Sequence, residues 1–258
     1  MTTKQKNNTP VIRVTQIEAF RRYIQQSEYD NFEITEQSVI DSITGEFKGN
    51  EYSRIGTAFH SIIETGHPEC TKAEPGERKF IAYGREQTET LPEGHTFSID
   101  GHDITLDTAQ CKIALDYRNT HQSAFHEVRL FKRYEDVIVT GQADMIEGTE
   151  IRDIKTKYSA IRASDYTNSC QWRFYLDIFN ADVFHFDMFQ FHGYNIEKHG
   201  YDVRGLLLEQ KHPSITCYRY ERMQEDINIL LSQFIEWAKE RNLMQYFKSY
   251  KQWSSQEK

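Results

Sequence analysis

The sequence predicts an α/β domain in which a mixed central β-sheet is flanked by helices. Apolar residues recur at helical spacing in stretches near both ends of the chain, residues 124–155 alternate apolar and polar side chains between short turns, and a further helix and strand follow them. The chain has 258 residues, 38% of them hydrophobic and 13% aromatic, which supports one large domain with its own core.

Residues 1–10 read as a disordered polar tail, and 11–258 as a single domain. In VIRVTQIEAFRRYI, Val14, Ile17, Phe20 and Ile24 repeat at helical spacing behind a Thr15 cap. EYSRIGTAFHSIIET carries Ile55, Phe59, Ile62 and Ile63 on one stripe, with His60 beside it, and ends before Gly66 and Pro68. Residues 66–96 are rich in Gly, Pro, Glu and Thr, so an irregular connection is expected, an insertion or mobile lid with at most a short helix near 77–84. Ala109, Ile113, Leu115 and Tyr117 predict a helix over 108–120.

Strands follow at 124–131, 135–146 and 149–155, with turns at Tyr134-Glu135-Asp136 and Glu147-Gly148. DYTNSCQWRFYLDIFN reads as one helix through Trp172, Tyr175, Leu176 and Phe179, with Trp172 in the core. DVFHFDMFQFH then alternates, Phe184, Phe186 and Met188 on one face and His185 and Asp187 on the other. From Glu221 to Phe247, Ile227, Leu230, Leu231, Phe234, Trp237 and Leu243 form the stripe of a long closing helix, with the helical closure as a whole covering about 221–250.

A formal net charge of −8 gives no global attraction to nucleic acid, so a polyanion must be met by local cations or by metal ions. Cys70, Cys111, Cys170 and Cys217 form no CxxC pair, which argues against a zinc ribbon or iron–sulfur cluster and for free thiols in a reducing cytoplasm. No secretion signal and no membrane span are expected. The chain carries no P-loop, GxSxG, HExxH or dinucleotide fingerprint, and His121, His126, His185 and His192 make no metal-binding spacing.

In GQADMIEGTEIRDIKTK, Asp144 ends one strand and Asp153 sits in the next, while Lys155 leaves the same face as Asp153. Two nearby carboxylates repel unless a cation joins them, and magnesium prefers such hard oxygen donors. An ammonium beside the metal orients the attacking water and stabilises charge on a phosphate. Taken alone, the ribbon reads first as a solvated surface hairpin, and His60 as a hydrogen-bonded core histidine.

The flanks add ordered motifs: G-x-x-x-H from Gly56 to His60, HEVRL with Glu127, GQAD, DIKT, and Q-x-x-x-Y from Gln171 to Tyr175. This series, over about 55–195, resembles the RecB-type branch of the PD-(D/E)xK nuclease superfamily. GTAFH and the VTQIEAF segment look closest to phage and prophage exonucleases of the RecE type. The resemblance implies a restriction-endonuclease-like core and metal ligation by Asp144, Asp153, His60 and the Ile154 backbone carbonyl, with Lys155 as catalytic lysine. Glu127 is implied to assist a second metal or hold a water, and Gln171 and Tyr175 to line the site and contact the DNA. Lys157, Arg162, Arg173 and Arg54 are candidates for a local positive wall holding phosphates.

The implied activity is Mg2+-dependent hydrolysis of DNA from its ends, with Mn2+ as a substitute metal and no iron–sulfur cluster. It would serve phage-type recombination or DNA repair. A single-strand annealing partner and a ring-forming homo-oligomer belong to the same picture. The alternatives are an endonuclease acting on branched or single-stranded DNA and a catalytically silent DNA-binding recombination scaffold.

Overall fold

The computed structural model describes residues 9–26, 34–45 and 49–254. Residues 1–8 of the expected tail lie outside the described residues, but Thr9 and Pro10 are built into the fold. The Thr9 carbonyl accepts from Tyr250 N, and Pro10 bridges to Ser249.

The first amphipathic stretch divides into strand β1 (Val11–Arg13) and helix α1 (Val14–Ile24). Gln16, rather than the expected Thr15, closes the helix start, because its Oε1 accepts the Arg13 N–H at 2.8 Å. Helix α2 (Glu36–Thr44), not among the expected elements, runs from a Thr35 cap to left-handed Gly45. Helix α3 (Glu51–Thr65) begins at a reciprocal Asn50–Ser53 cap and stops at Gly66, where φ is 75°.

The expected irregular connection is instead largely β-structure, with no helix at 77–84. It holds β2 (Thr71–Ala73), β3 (Gly76–Ala82), β4 (Arg85–Leu91) and β5 (Gly94–Ile99), and leads into β6 (His102–Asp107). β3 and β4 form a hairpin closed by Tyr83 and Gly84, both at positive φ, which is the two-residue turn that matches strand twist. Gly94 is required there, since a Cβ would sit 2.1 Å from the Leu106 carbonyl oxygen. Asp107 and Gln110 then cap helix α4 (Thr108–Thr120).

The central sheet contains β1, β7 (Phe125–Tyr134), β8 (Val137–Glu147), β9 (Glu150–Lys157), β10 (Val183–Phe191) and β11 (Leu208–Tyr218). It is mixed: β1 runs parallel to β8 and β9 parallel to β10, while the other pairings are antiparallel. The helix expected over 165–180 is broken at residues 168–170 into α5 (Ala163–Thr167) and α6 (Gln171–Phe179). Helix α7 (Ile196–His199) precedes β11. The closing helix α8 (Met223–Glu240) is shorter than expected, because Asn242 turns left-handed at φ 57°. A 3-10 turn (Met244–Tyr246) and α9 (Tyr250–Ser254) follow.

Helices cover both sheet faces. One core packs α1, α2, α6 and α8 against Phe184, Phe186 and Met188. The other packs α3 and α4 against Phe189 and Phe191, on the face that also carries Asp187. Asp187 is not a polar surface residue: it is buried and accepts from Tyr117, Arg152 and Ser214. Fully burying a phenylalanine contributes roughly 2–3 kcal/mol, so strand β10, apolar on both faces, anchors the domain.

The pairing of β8 creates the feature on which the site depends. Its outer edge pairs with β7 along most of its length. Its other edge is shared by β1 at Ile138–Thr140 and by β9 at Met145–Glu147. Between these two segments, among the described residues, 141–144 have no ladder partner on that edge. The sheet opens there into a fork.

Candidate active site

The register places the two aspartates at the mouth of the fork. Met145 pairs with Arg152, so Asp144 and Asp153 occupy the next position of the same antiparallel register and share a face. The ladder ends at that point, and side chains take over its hydrogen bonds. Asp144 Oδ2 accepts the Ile154 N–H at 2.7 Å, and Tyr175 donates its hydroxyl to the Gln142 carbonyl at 2.8 Å.

The fork also lets helices from opposite faces reach the same spot. From one face, α3 brings His60, whose Nδ1 lies 3.9 Å from Asp144 Oδ2 and whose ring hydrogen-bonds the Ile154 backbone. Gly56 permits this approach, because a Cβ there would stand 2.8 Å from Thr156 Oγ1. From the other face, α6 brings Gln171, whose Nε2 donates to Asp153 Oδ1 at 2.8 Å. Lys155 Nζ lies 2.6 Å from Asp153 Oδ2. His60, Asp144, Asp153, Ile154, Lys155 and Gln171 are thus brought together.

The site deepens from mouth to floor. Side-chain exposure falls from 35% at Lys155 and 28% at His60 to 18% at Asp144 and 3% at Asp153. Desolvation raises the pKa of Asp153, with Asp144 adding to it and Lys155 opposing it, and desolvation likewise raises Asp144. Lys155 loses some affinity for its proton to desolvation, but the two aspartates outweigh that and leave its pKa raised. It is therefore an ammonium at neutral pH. Burial, helped by Lys155, pulls His60 down to about 4, so its imidazole is neutral and able to act as a ligand.

Glu127 belongs to the same cluster. It sits between the His126–Met145 and Val128–Ala143 pairs, facing Asp144 across the ladder, with a left-handed φ of 51° that is strained for a glutamate. Desolvation, then Asp144 and Glu64, push its carboxyl up to about 7. Gln142, the glutamine of GQAD, donates to Glu127 and accepts from Arg129. Neither Gln142 nor Glu64 was singled out in the sequence. The available signal for Glu64 was its spacing four residues after His60, on the same helix face.

Other candidates stand differently from the expectation. Tyr175 does not line an open surface: it is buried, its hydroxyl is occupied by Gln142, and its ring fills the space left by Gly141, where a Cβ would be 2.9 Å away. It packs behind the unpaired segment of β8. Arg54 is turned toward the β-insertion, bonded to Tyr201 at 3.3 Å and 4.0 Å from Asp100. Arg173 lies over Trp172, which is buried as expected, and donates to the Ser169 carbonyl. Lys157 lies over the Tyr166 ring on the strand that carries Lys155, and Arg162 is exposed ahead of α5.

The donor set suits a hard divalent cation: two desolvated carboxylates, a neutral imidazole and a backbone carbonyl. Asp153 Oδ2 is buried against the Lys155 ammonium at 2.6 Å, so a cation already stands beside the oxygen that would take a metal ion. Among the described residues no three His, Cys, Asp or Glu side chains are already gathered to hold a metal ion. Lys155 and Gln171 hold Asp153, and the Ile154 amide holds Asp144, so ligation requires these side chains to turn.

A family model described as the PD-(D/E)XK nuclease superfamily matches residues 37–243. No curated protein gives a match. Among solved structures, SSO0001 is 16% identical with a TM-score of 0.32 over 50% of this chain, which spans 59% of that protein. A protein from Eubacterium rectale, provisionally assigned as an exonuclease, is 11% identical with a TM-score of 0.46, covering 91% of this chain and 85% of that one. No helix among the described residues is long and apolar enough to cross a membrane.

Proposed function

Because the chain belongs to the PD-(D/E)XK nuclease superfamily, we propose that it is a Mg2+-dependent DNA exonuclease of the RecE-like type, hydrolysing phosphodiester bonds from DNA ends. The observation that carries this reading is the fork itself. It sets Asp144 opposite Asp153 and aims Lys155 and Gln171 at the second of them.

Asp144, Asp153, His60 and the Ile154 carbonyl would hold the magnesium, which when bound polarises the phosphate and acidifies water. Lys155, kept protonated by the aspartates, supplies positive charge beside the scissile phosphate and orients the attacking water. Gln171 fixes the Asp153 carboxylate, and Glu127, titrating near neutrality, is able to take up a proton at its carboxylate as water is deprotonated. In-line attack then leaves a 5′-phosphate and a 3′-hydroxyl. Lys157 and Arg162 are the cations we assign to the DNA backbone.

The four cysteines are free thiols, which suits a cytoplasmic setting. A ring-forming homo-oligomer and a single-strand annealing partner complete the proposal.

The test compares linear, closed-circular and branched DNA with magnesium, manganese or EDTA. Linear DNA should be degraded only with metal, and closed circles should survive. Asp144→Ala and Lys155→Ala should each lose at least about a hundredfold in rate while unfolding cooperatively. Cleavage of closed circles would reassign the chain as an endonuclease. Binding without cleavage of any substrate would make it a scaffold.

A further inference from the structure

We propose that Glu18 is a positioning residue for the reaction. Its carboxylate, reaching across from α1, holds the first turn of α6 so that Gln171 aims at Asp153. The inference rests on the nuclease reading above.

At the start of helix α6 the Cys170 side chain accepts no capping bond, and the local acceptor is Ser169 Oγ, which takes the Gln171 N–H at 3.1 Å. Glu18, 152 residues earlier in the chain, supplies the acceptor for the preceding N–H: its Oε2 takes that of Cys170 at 2.8 Å, the shorter of the two bonds. A carboxylate at that end also suits the helix dipole. The next residue is Gln171, whose side chain holds Asp153 Oδ1 at 2.8 Å.

Glu18 is itself fixed. Arg21 grips it with two bonds, Nε to Oε2 at 2.9 Å and Nη2 to Oε1 at 2.7 Å, and Arg21 Nη1 continues to Gln25 at 3.0 Å. The Arg21 side chain is only 10% exposed and that of Glu18 only 18%, so the pair is a rigid bracket rather than a solvated surface bridge. The path from α1 to the catalytic aspartate is therefore four groups long: Arg21, Glu18, the Cys170 amide and Gln171. The Glu18 charge also acts on Lys155, so the test must separate position from charge.

Glu18→Asp keeps the charge but withdraws the oxygen by one methylene from Cys170 N. Glu18→Gln keeps an oxygen there but removes the charge and one Arg21 contact. Measured as kcat and KM on linear duplex DNA, with urea unfolding in parallel, Glu18→Asp should lose about tenfold in kcat at unchanged KM. Glu18→Gln should stay within about threefold of wild type although less stable.

Gln171→Ala should fall by the same factor as Glu18→Asp, and the Glu18→Asp/Gln171→Ala double variant should fall no further than Gln171→Ala alone. Cys170→Pro deletes the same N–H from the other side, at a φ of −81° that proline accepts, and should reproduce the kcat loss. It decides the matter if Glu18→Asp does not fold.

The reverse ordering, with Gln impaired and Asp normal, would make Glu18 an electrostatic partner of Lys155 and overturn the proposal. So would multiplicative losses in the double variant. A wild-type chain that cuts no DNA in magnesium overturns the nuclease reading and this inference together, whereas the other adverse outcomes leave that reading standing.

Discussion

Replacing Glu127 by glutamine isolates the electrostatic cost of the cluster. The Glu127 carboxyl titrates at about 7 in the folded chain against an ordinary 4.5, through desolvation first and then Asp144 and Glu64. A carboxyl whose folded pKa is raised binds its proton more tightly in the native state. Its ionisation therefore removes stability as pH climbs from about 4.5 to 7, and the loss persists above that. The interval from 4.5 to about 7 corresponds to roughly 3 kcal/mol if the group were fully desolvated. Glu127 is half-buried, so solvent screening reduces the expected effect to about 1 kcal/mol. Glutamine carries no such penalty and can still accept from Gln142.

Urea unfolding in EDTA should therefore find Glu127→Gln within about 0.3 kcal/mol of wild type at pH 5 and about 1 kcal/mol more stable at pH 8. An equal difference at both pH values, or a less stable variant at pH 8, would refute the assignment of Glu127 to a crowded acidic cluster.

The other predictions concern geometry. Gly56→Ala forces a Cβ to within 2.8 Å of Thr156 Oγ1 and should cost about 1–3 kcal/mol, with Thr156→Ala in the same chain restoring most of it in a denaturation cycle. Tyr175→Phe leaves the Gln142 carbonyl without its hydroxyl and should cost about 1 kcal/mol by urea unfolding. Gly141→Ala, which crowds the same ring, should be the more damaging of the two. Asp187→Ala removes the buried carboxylate that accepts from Tyr117, Ser214 and the partly buried Arg152, which keeps Glu150 at 3.5 Å, and should destabilise by about 1–3 kcal/mol, visible as a fall in thermal midpoint without any change in metal dependence.

The site was legible where chemistry and spacing coincide. Asp144, Asp153 and Lys155 could be placed on two strands of known turn length, and α3 announced itself by the stripe running from Ile55 to Ile63. The β-insertion was not legible, because its hairpin is mostly exposed on both faces and so lacks the alternation that burial imposes. GERKFIAYGREQTETL is rich in charge, and only the Tyr83-Gly84 turn betrays it. The split between α5 and α6 was hidden because Trp172, Tyr175 and Leu176 keep helical spacing whether or not the helix extends backward past Cys170. The hydroxyl bond of Tyr175 was equally hidden: periodicity reports that a ring is buried, not that its hydroxyl reaches a carbonyl in a neighbouring strand. Glu18 belongs to α1, more than a hundred residues from α6, and only tertiary packing joins them.

The fork has a mechanical consequence. Three residue pairs, Met145–Arg152, Ile146–Ile151 and Glu147–Glu150, form the ladder between β8 and β9, and the bond from Ile154 N–H to Asp144 Oδ2 extends it by one step. One carboxylate rides on the half-sheet of β7 and β8, the other on that of β9, β10 and β11. Their separation thus follows how the two half-sheets are set against each other along this short seam. Changes that tighten or relax that seam act like the screw on a pair of calipers, resetting the gap without touching either tip.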